Sequence, residues 1–212
     1  MSREGQHRHP TASPGAASLA VVLHDIEPTT FSRCALIRDW LSDLGIDRVT
    51  LCVVPAPDHH PFFRRSPALT EWLHERRALG DVIAQQGLVS GRTPPRHATR
   101  EQVRAGNRLL VDAGLEPSGY RAGTLAHALA ARRDVGTMFR WWMAAGRFPV
   151  SSARGAMRLD VRPLDFDRHP DRTRAMERAL RRAAAKRRVV TFDDLVTADL
   201  PVAASPRELP AR

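Results

Sequence analysis

Four short polar groups punctuate the apolar runs of this 212-residue chain. His24-Asp25-Ile26-Glu27-Pro28 follows the run 19–23, and Gln85-Gln86-Gly87 follows the run 81–84. Arg121 closes a short run at 119–122, and Arg162-Pro163-Leu164-Asp165 follows the run 157–161. His24 has the type of side chain that accepts or returns a proton near neutral pH. The alternative is a strand-end histidine hydrogen-bonded to its neighbours, and the two readings stand level. Asp25 could be a lone metal ligand, a helix cap or the ion-pair partner of Arg121. The pairing with Arg121 is favoured, because one carboxylate alone holds zinc poorly. Arg121 and Arg162 stay protonated at any relevant pH and suit an anionic ligand such as a carboxylate or phosphate. Gln86, Arg162 and Asp165 are the candidate substrate-binding residues, and His24, Asp25 and Arg121 the candidate catalytic ones.

These groups are brought together only if the elements before them are parallel strands, whose carboxyl ends converge on one crevice. The pattern of short apolar runs alternating with helical periodicity predicts such an α/β arrangement. A first strand is expected at 19–23. Ile37, Trp40, Leu41 and Leu44 then mark one face of a helix that Gly45 ends. The run 49–54 predicts a strand buried on both faces. Ser66-Pro67 predicts a helix start and Gly80 its stop, followed by a short strand at 81–84. Thr99 with Gln102 resembles a capping box for a helix closed by Gly114. Strands are expected at 119–122, 157–161 and 189–192, the last two bracketing an Arg-rich helix. Asp193-Asp194 reads as an N-cap for a final short helix. The stretch 125–146 is helical in propensity, and of its adjacent Trp141 and Trp142 only one can face a given core.

In this order the motifs resemble a known family. Val21-Val22-Leu23-His24-Asp25-Ile26-Glu27-Pro28 looks like the first motif of an uncharacterised branch of the polysaccharide deacetylases. The resemblance runs on through 48–55, 80–84, 113–122, 159–165 and 187–192, covering most of residues 19–196. It implies an incomplete (β/α) barrel that holds zinc or another divalent metal by one Asp and two His and hydrolyses an N-acetyl amide. By that resemblance Asp25 matches the aspartate ligand, His24 stands where many relatives keep the base, and Arg121 is retained. Gln86 and Ser90 stand in place of the two ligand histidines, and Arg162 in place of the histidine expected before Pro163. An amide and a hydroxyl are poor zinc ligands beside imidazole, and arginine cannot cycle as a general acid. The segment between Arg121 and Met157 also looks shortened. The chain therefore reads as a degenerate, catalytically impaired member with no bound cofactor expected. An active amide hydrolase would need rearranged ligands from His59, His60 or His97.

The remaining bounds are broad. Residues 1–18 are expected to be a disordered leader, 19–199 one domain and 200–212 a disordered tail. No run of about 20 apolar residues is present for a membrane span, and no signal-peptide pattern precedes the first strand, so the cytoplasm is the expected compartment. Cys34 and Cys52, the two cysteines, read as buried thiols. The net charge of +10 and the Arg-rich segment 172–188 raise nucleic-acid binding as a further alternative. A solvated helix face backed by Met176, Leu180 and Ala184 explains the charge better, since no aromatic residues interleave it. A small-molecule or carbohydrate ligand is the expected partner.

Overall fold

A computed structural model describes residues 17–89, 100–123, 132–144, 156–168 and 170–199. The chain forms a curled, all-parallel α/β sheet resembling half of a barrel. In chain order the strands are β1 Ser18–Ile26, β2 Thr50–Val53, β3 Val82–Gln86, β4 Gly119–Ala122, β5 Trp141–Ala144, β6 Ala156–Val161 and β7 Arg188–Val190. The helices are α1 Phe31–Asp43, α2 Pro67–Ala78, α3 Arg100–Asp112, α4 Arg132–Met138, α5 Asp165–Arg168, α6 Pro170–Ala184 and α7 Phe192–Asp199. Among these, none is long and apolar enough to cross a membrane.

The neighbours run β5-β4-β3-β2-β1-β6, with β7 added to β1. Ala20 pairs with Arg158 of β6 and with Val190 of β7, so those two strands flank β1 on opposite edges. Val22 likewise pairs with Asp160 of β6 and Thr50 of β2. One edge of β1 is therefore shared, β7 along its first half and β2 along its second.

Strand alternation divides the core into two faces. Leu19, Val21, Leu23, Leu51, Val53, Ile83 and Val161 face the helices, where Ile37, Leu41, Leu69, Leu73, Leu110 and Leu180 pack on them. The concave face carries Ala20, Val22, Cys52, Ala84, Trp141, Met143, Val190 and Phe192. Gly119 makes that face possible, because a Cβ there would lie 2.1 Å from the Trp141 indole.

Helix boundaries follow local chemistry. Pro67 opens α2 behind Ser66, and Gly45, Gly80 and Gly114 take left-handed backbone angles where α1, α2 and α3 stop. Thr99 lies outside the described residues. Leu180 and Ala183 of α6 are buried, with Met176 and Ala184 packed against the same core. Arg174, Arg178, Arg181 and Arg182 form its solvated side.

Four expectations need correction. Strand β1 begins at Ser18, inside the expected leader, and runs on to Ile26, so His24 and Asp25 belong to the strand itself. β3 starts one residue later than the expected 81–84 and ends two later, on Gln85 and Gln86. The stretch 125–146 is not a single helix: α4 is short and Trp141–Ala144 is a strand. Cross-strand packing overrides helix propensity there, and alternation sends Trp141 to the concave core and Trp142 toward Tyr120 and Phe139. The cap of α7 is Thr191, which exchanges bonds with Asp194 in a capping box. Asp193 instead accepts hydrogen bonds from Trp141 Nε1 at 2.6 Å and Ser118 Oγ at 2.7 Å.

Candidate functional site

The carboxyl end of the concave face carries the polar side chains. Between Leu23 and Ile26, β1 advances three residues while β2 advances two, from Leu51 to Val53. This bulge puts Asp25 at φ 58, a left-handed conformation that aspartate tolerates better than most residues. Bulges of this kind re-aim side chains at strand ends.

Gln86 of β3 holds the bulge with both ends of its amide. Its Oε1 accepts the Asp25 backbone N–H at 3.2 Å, and its Nε2 donates to Asp25 Oδ1. Thr30 Oγ1 donates to the Asp25 carbonyl at 2.5 Å. The expected pairing of Asp25 with Arg121 is therefore replaced by one with Gln86. Gln86 and Arg121 are in register, and the amide is the nearer partner because β3 lies one strand closer to β1 than β4 does.

His24 is fully buried and lies 2.6 Å from Asp160 of β6, Nε2 to Oδ1. Arg158, two residues earlier on the same face, donates to the same oxygen from Nε at 2.9 Å and from its terminal nitrogen at 2.7 Å. Burial alone would raise the Asp160 carboxyl, but the bond from His24 and the Arg158 charge outweigh it and lower it to about 2. An ionised carboxylate only accepts, so His24 Nε2 carries the hydrogen. His24 is itself held below the ordinary 6.5, first by burial and then by the Arg121 charge, against the bond to Asp160. The ring is thus neutral, with an unprotonated Nδ1 that is sealed from solvent and has no hydrogen-bond partner.

Arg121 reaches this face from β4, in register with Gln86 and with Met143 of β5. The side chain is half-buried, and its Nε is enclosed without an acceptor. Glu27, just past β1, has its carboxyl raised by burial and by the charges of Asp25 and Asp58, against a hydrogen bond from Thr29.

The structure brings together His24, Asp25, Gln86 and Arg121, and leaves two expected residues aside. Arg162 is exposed, and Asp165 accepts its backbone N–H at 3.2 Å in the turn that starts α5. That is a local cap. Asp160 and Arg158 were the residues missed. Their signal was available: in the run 157–161 the two charges alternate with Met157, Leu159 and Val161, which places both on one face of the strand.

Among the described residues, the side chains at this end of the sheet are not arranged as ligands of a divalent cation. Asp25 is bonded to an amide, and one nitrogen of His24 is bonded to Asp160. His59 and His60 are exposed, the latter with Nδ1 2.9 Å from the Asp58 carbonyl. Among the described residues no three His, Cys, Asp or Glu side chains gather as ligands. Ser90 and His97 lie outside the described residues.

Two basic features lie apart from this end. An open groove of about 460 Å³, with Ala17, Met157, Lys186 and Arg187 among its walls, lies at the opposite, amino end of β1. The exposed arginines of α6 include Arg181, which pairs with Glu177 one turn earlier; no aromatic residue stands among them.

Compared with known proteins, the chain matches no family model, no curated protein and no solved structure.

Proposed function

We propose that this chain is a polysaccharide deacetylase-like half-barrel that has given up metal-dependent amide hydrolysis and binds a small anion at Arg121. One observation carries the reading: Gln86, at the place of an expected metal-binding imidazole, clasps Asp25 with its amide. A primary amide joins β1 to β3 here with two hydrogen bonds, where the resemblance would have a cation do so. The amide nitrogen has no lone pair to offer a metal, and Asp25 without partner imidazoles binds zinc weakly. The resemblance of the motif order supports the fold half of the proposal, and the curled parallel sheet is consistent with it.

What the crevice retains suits recognition. Arg121 offers a fixed positive charge with no carboxylate on it among the described residues, and guanidinium groups bind carboxylates and phosphates well. His24, Asp160 and Arg158 form a pre-oriented, hydrogen-bonded set on the same face of the sheet.

The test combines metal analysis, catalysis and binding. Purified protein is expected to hold far less than one equivalent of zinc and to release no acetate from N-acetylated sugars. Small carboxylates or phosphate should raise its melting temperature, and Arg121→Gln should abolish that rise. Stoichiometric zinc that disappears in Asp25→Ala, with acetate released, would overturn the reading.

A further inference from the structure

Two sealed polar atoms in the crevice have nothing to bond. His24 Nδ1 is an acceptor, because Asp160 and Arg158 fix the hydrogen on Nε2. Arg121 Nε is a donor without an acceptor. His24 follows Val22 on the concave face, and Arg121 is in register with Met143 of that face, so both side chains stand on one side of the sheet at one end. The Arg121 charge is near enough to disfavour protonation of the His24 ring. Native structures leave few enclosed polar atoms unsatisfied, and those that occur ask for a water, an ion or a ligand.

The pair sets opposite demands. A plain carboxylate is acceptor-only; it satisfies Arg121 and leaves His24 Nδ1 unmet. An ammonium group could donate to Nδ1 but would be set beside the Arg121 cation. A neutral hydroxyl donates without that repulsion. Arg121 is half-buried and its Nε is unanchored, so its side chain is the wall that a guest would move.

We propose that the crevice takes a small α-hydroxy carboxylate, with the carboxylate on the Arg121 guanidinium and the hydroxyl donated to His24 Nδ1. The inference rests on the anion reading above and adds to it the need for an uncharged donor on the adjacent carbon.

Isothermal titration of the full chain with glycolate, acetate and inorganic phosphate separates the two. Glycolate is expected to bind about tenfold or more tighter than acetate, the cost of leaving an enclosed acceptor unmet. Arg121→Gln should lose both carboxylates, and His24→Phe should bring glycolate down to the level of acetate. The panel on the unaltered protein decides the matter even where His24→Phe does not fold. Equal binding of acetate and glycolate, or phosphate tightest of the three, would overturn the hydroxy-acid inference and leave the anion reading standing. No binding of any probe, or glycolate binding unchanged in Arg121→Gln, would overturn both.

Discussion

Arg38 offers the sharpest test of what fastens the helices to the amino end of the sheet, opposite the crevice. It is fully buried, and so is its partner Asp81. Arg38 donates to Asp81 from Nε at 2.8 Å and from one terminal nitrogen at 3.0 Å. Its other bonds reach the Asp47 carbonyl at 2.6 Å, Ser42 Oγ at 2.6 Å and the Ile46 carbonyl at 3.3 Å. Asp81 also accepts from the Val49 N–H at 2.8 Å and Arg76 Nε at 3.0 Å. The network therefore ties α1 and α2 to the amino ends of β2 and β3. Arg38→Met keeps much of the stem's volume but strips Asp81 of two donors and leaves two backbone carbonyls unmet. Removing one partner of a buried pair costs about 3–5 kcal/mol, a large part of a domain's usual total of about 5–15 kcal/mol. Asp81→Leu should cost a comparable amount, because it leaves the guanidinium buried and poorly paired. The double variant removes both charges, so its cost should fall short of the sum by about 2 kcal/mol or more. Urea denaturation of the four proteins gives the cycle. A cost under about 1 kcal/mol for Arg38→Met, or strict additivity, would refute the reasoning.

Three further outcomes follow from the geometry. Gly119→Ala should destabilise by about 1–3 kcal/mol through overpacking against Trp141, read as a fall in melting temperature with the fold retained. Stability should decline on acidification in two stages. His24 is held below 6.5 in the folded state, so protonation below that pH favours the unfolded chain; Asp160, lowered from 3.8 to about 2, then loses its contribution across that interval. In Asp160→Asn the lower stage should shrink in a pH series of denaturation curves. Burial pushes the thiols of Cys34 and Cys52 up to about 12. Neither should react with a disulfide reagent at pH 8 until the protein is unfolded, and prompt labelling of the native protein would contradict their placement.

Sequence reading located much of the fold and part of the site. Short apolar or alternating runs marked six of the seven strands; those of β1 and β2 are continuous because these strands are buried on both faces. Strand β5 escaped notice: its Trp-Trp-Met-Ala sequence carries no turn signal that separates it from a helix, and its pairing with β4 comes from residues about 20 positions away in sequence. His24, Asp25, Gln86 and Arg121 were legible because unusual polar residues fell at strand ends. The partner of each was not. Which donor the Asp25 carboxylate meets depends on a one-residue bulge, and a register change of that size leaves no trace in composition. Arg162 and Asp165 misled for a related reason, since a turn-forming pair after a strand looks the same in sequence whether it faces a crevice or caps the next helix.

The shared edge of β1 has a consequence for how the chain is made. Leu19 pairs with Val189, near the far end of the described chain. A ribosome delivers β1 long before the strip that seals half of one side of it, so a row of unpaired amides must wait while the intervening elements are made. Contacts of such long sequence separation are the slow ones in folding, and a truncated product lacking β7 would present that open row to other chains.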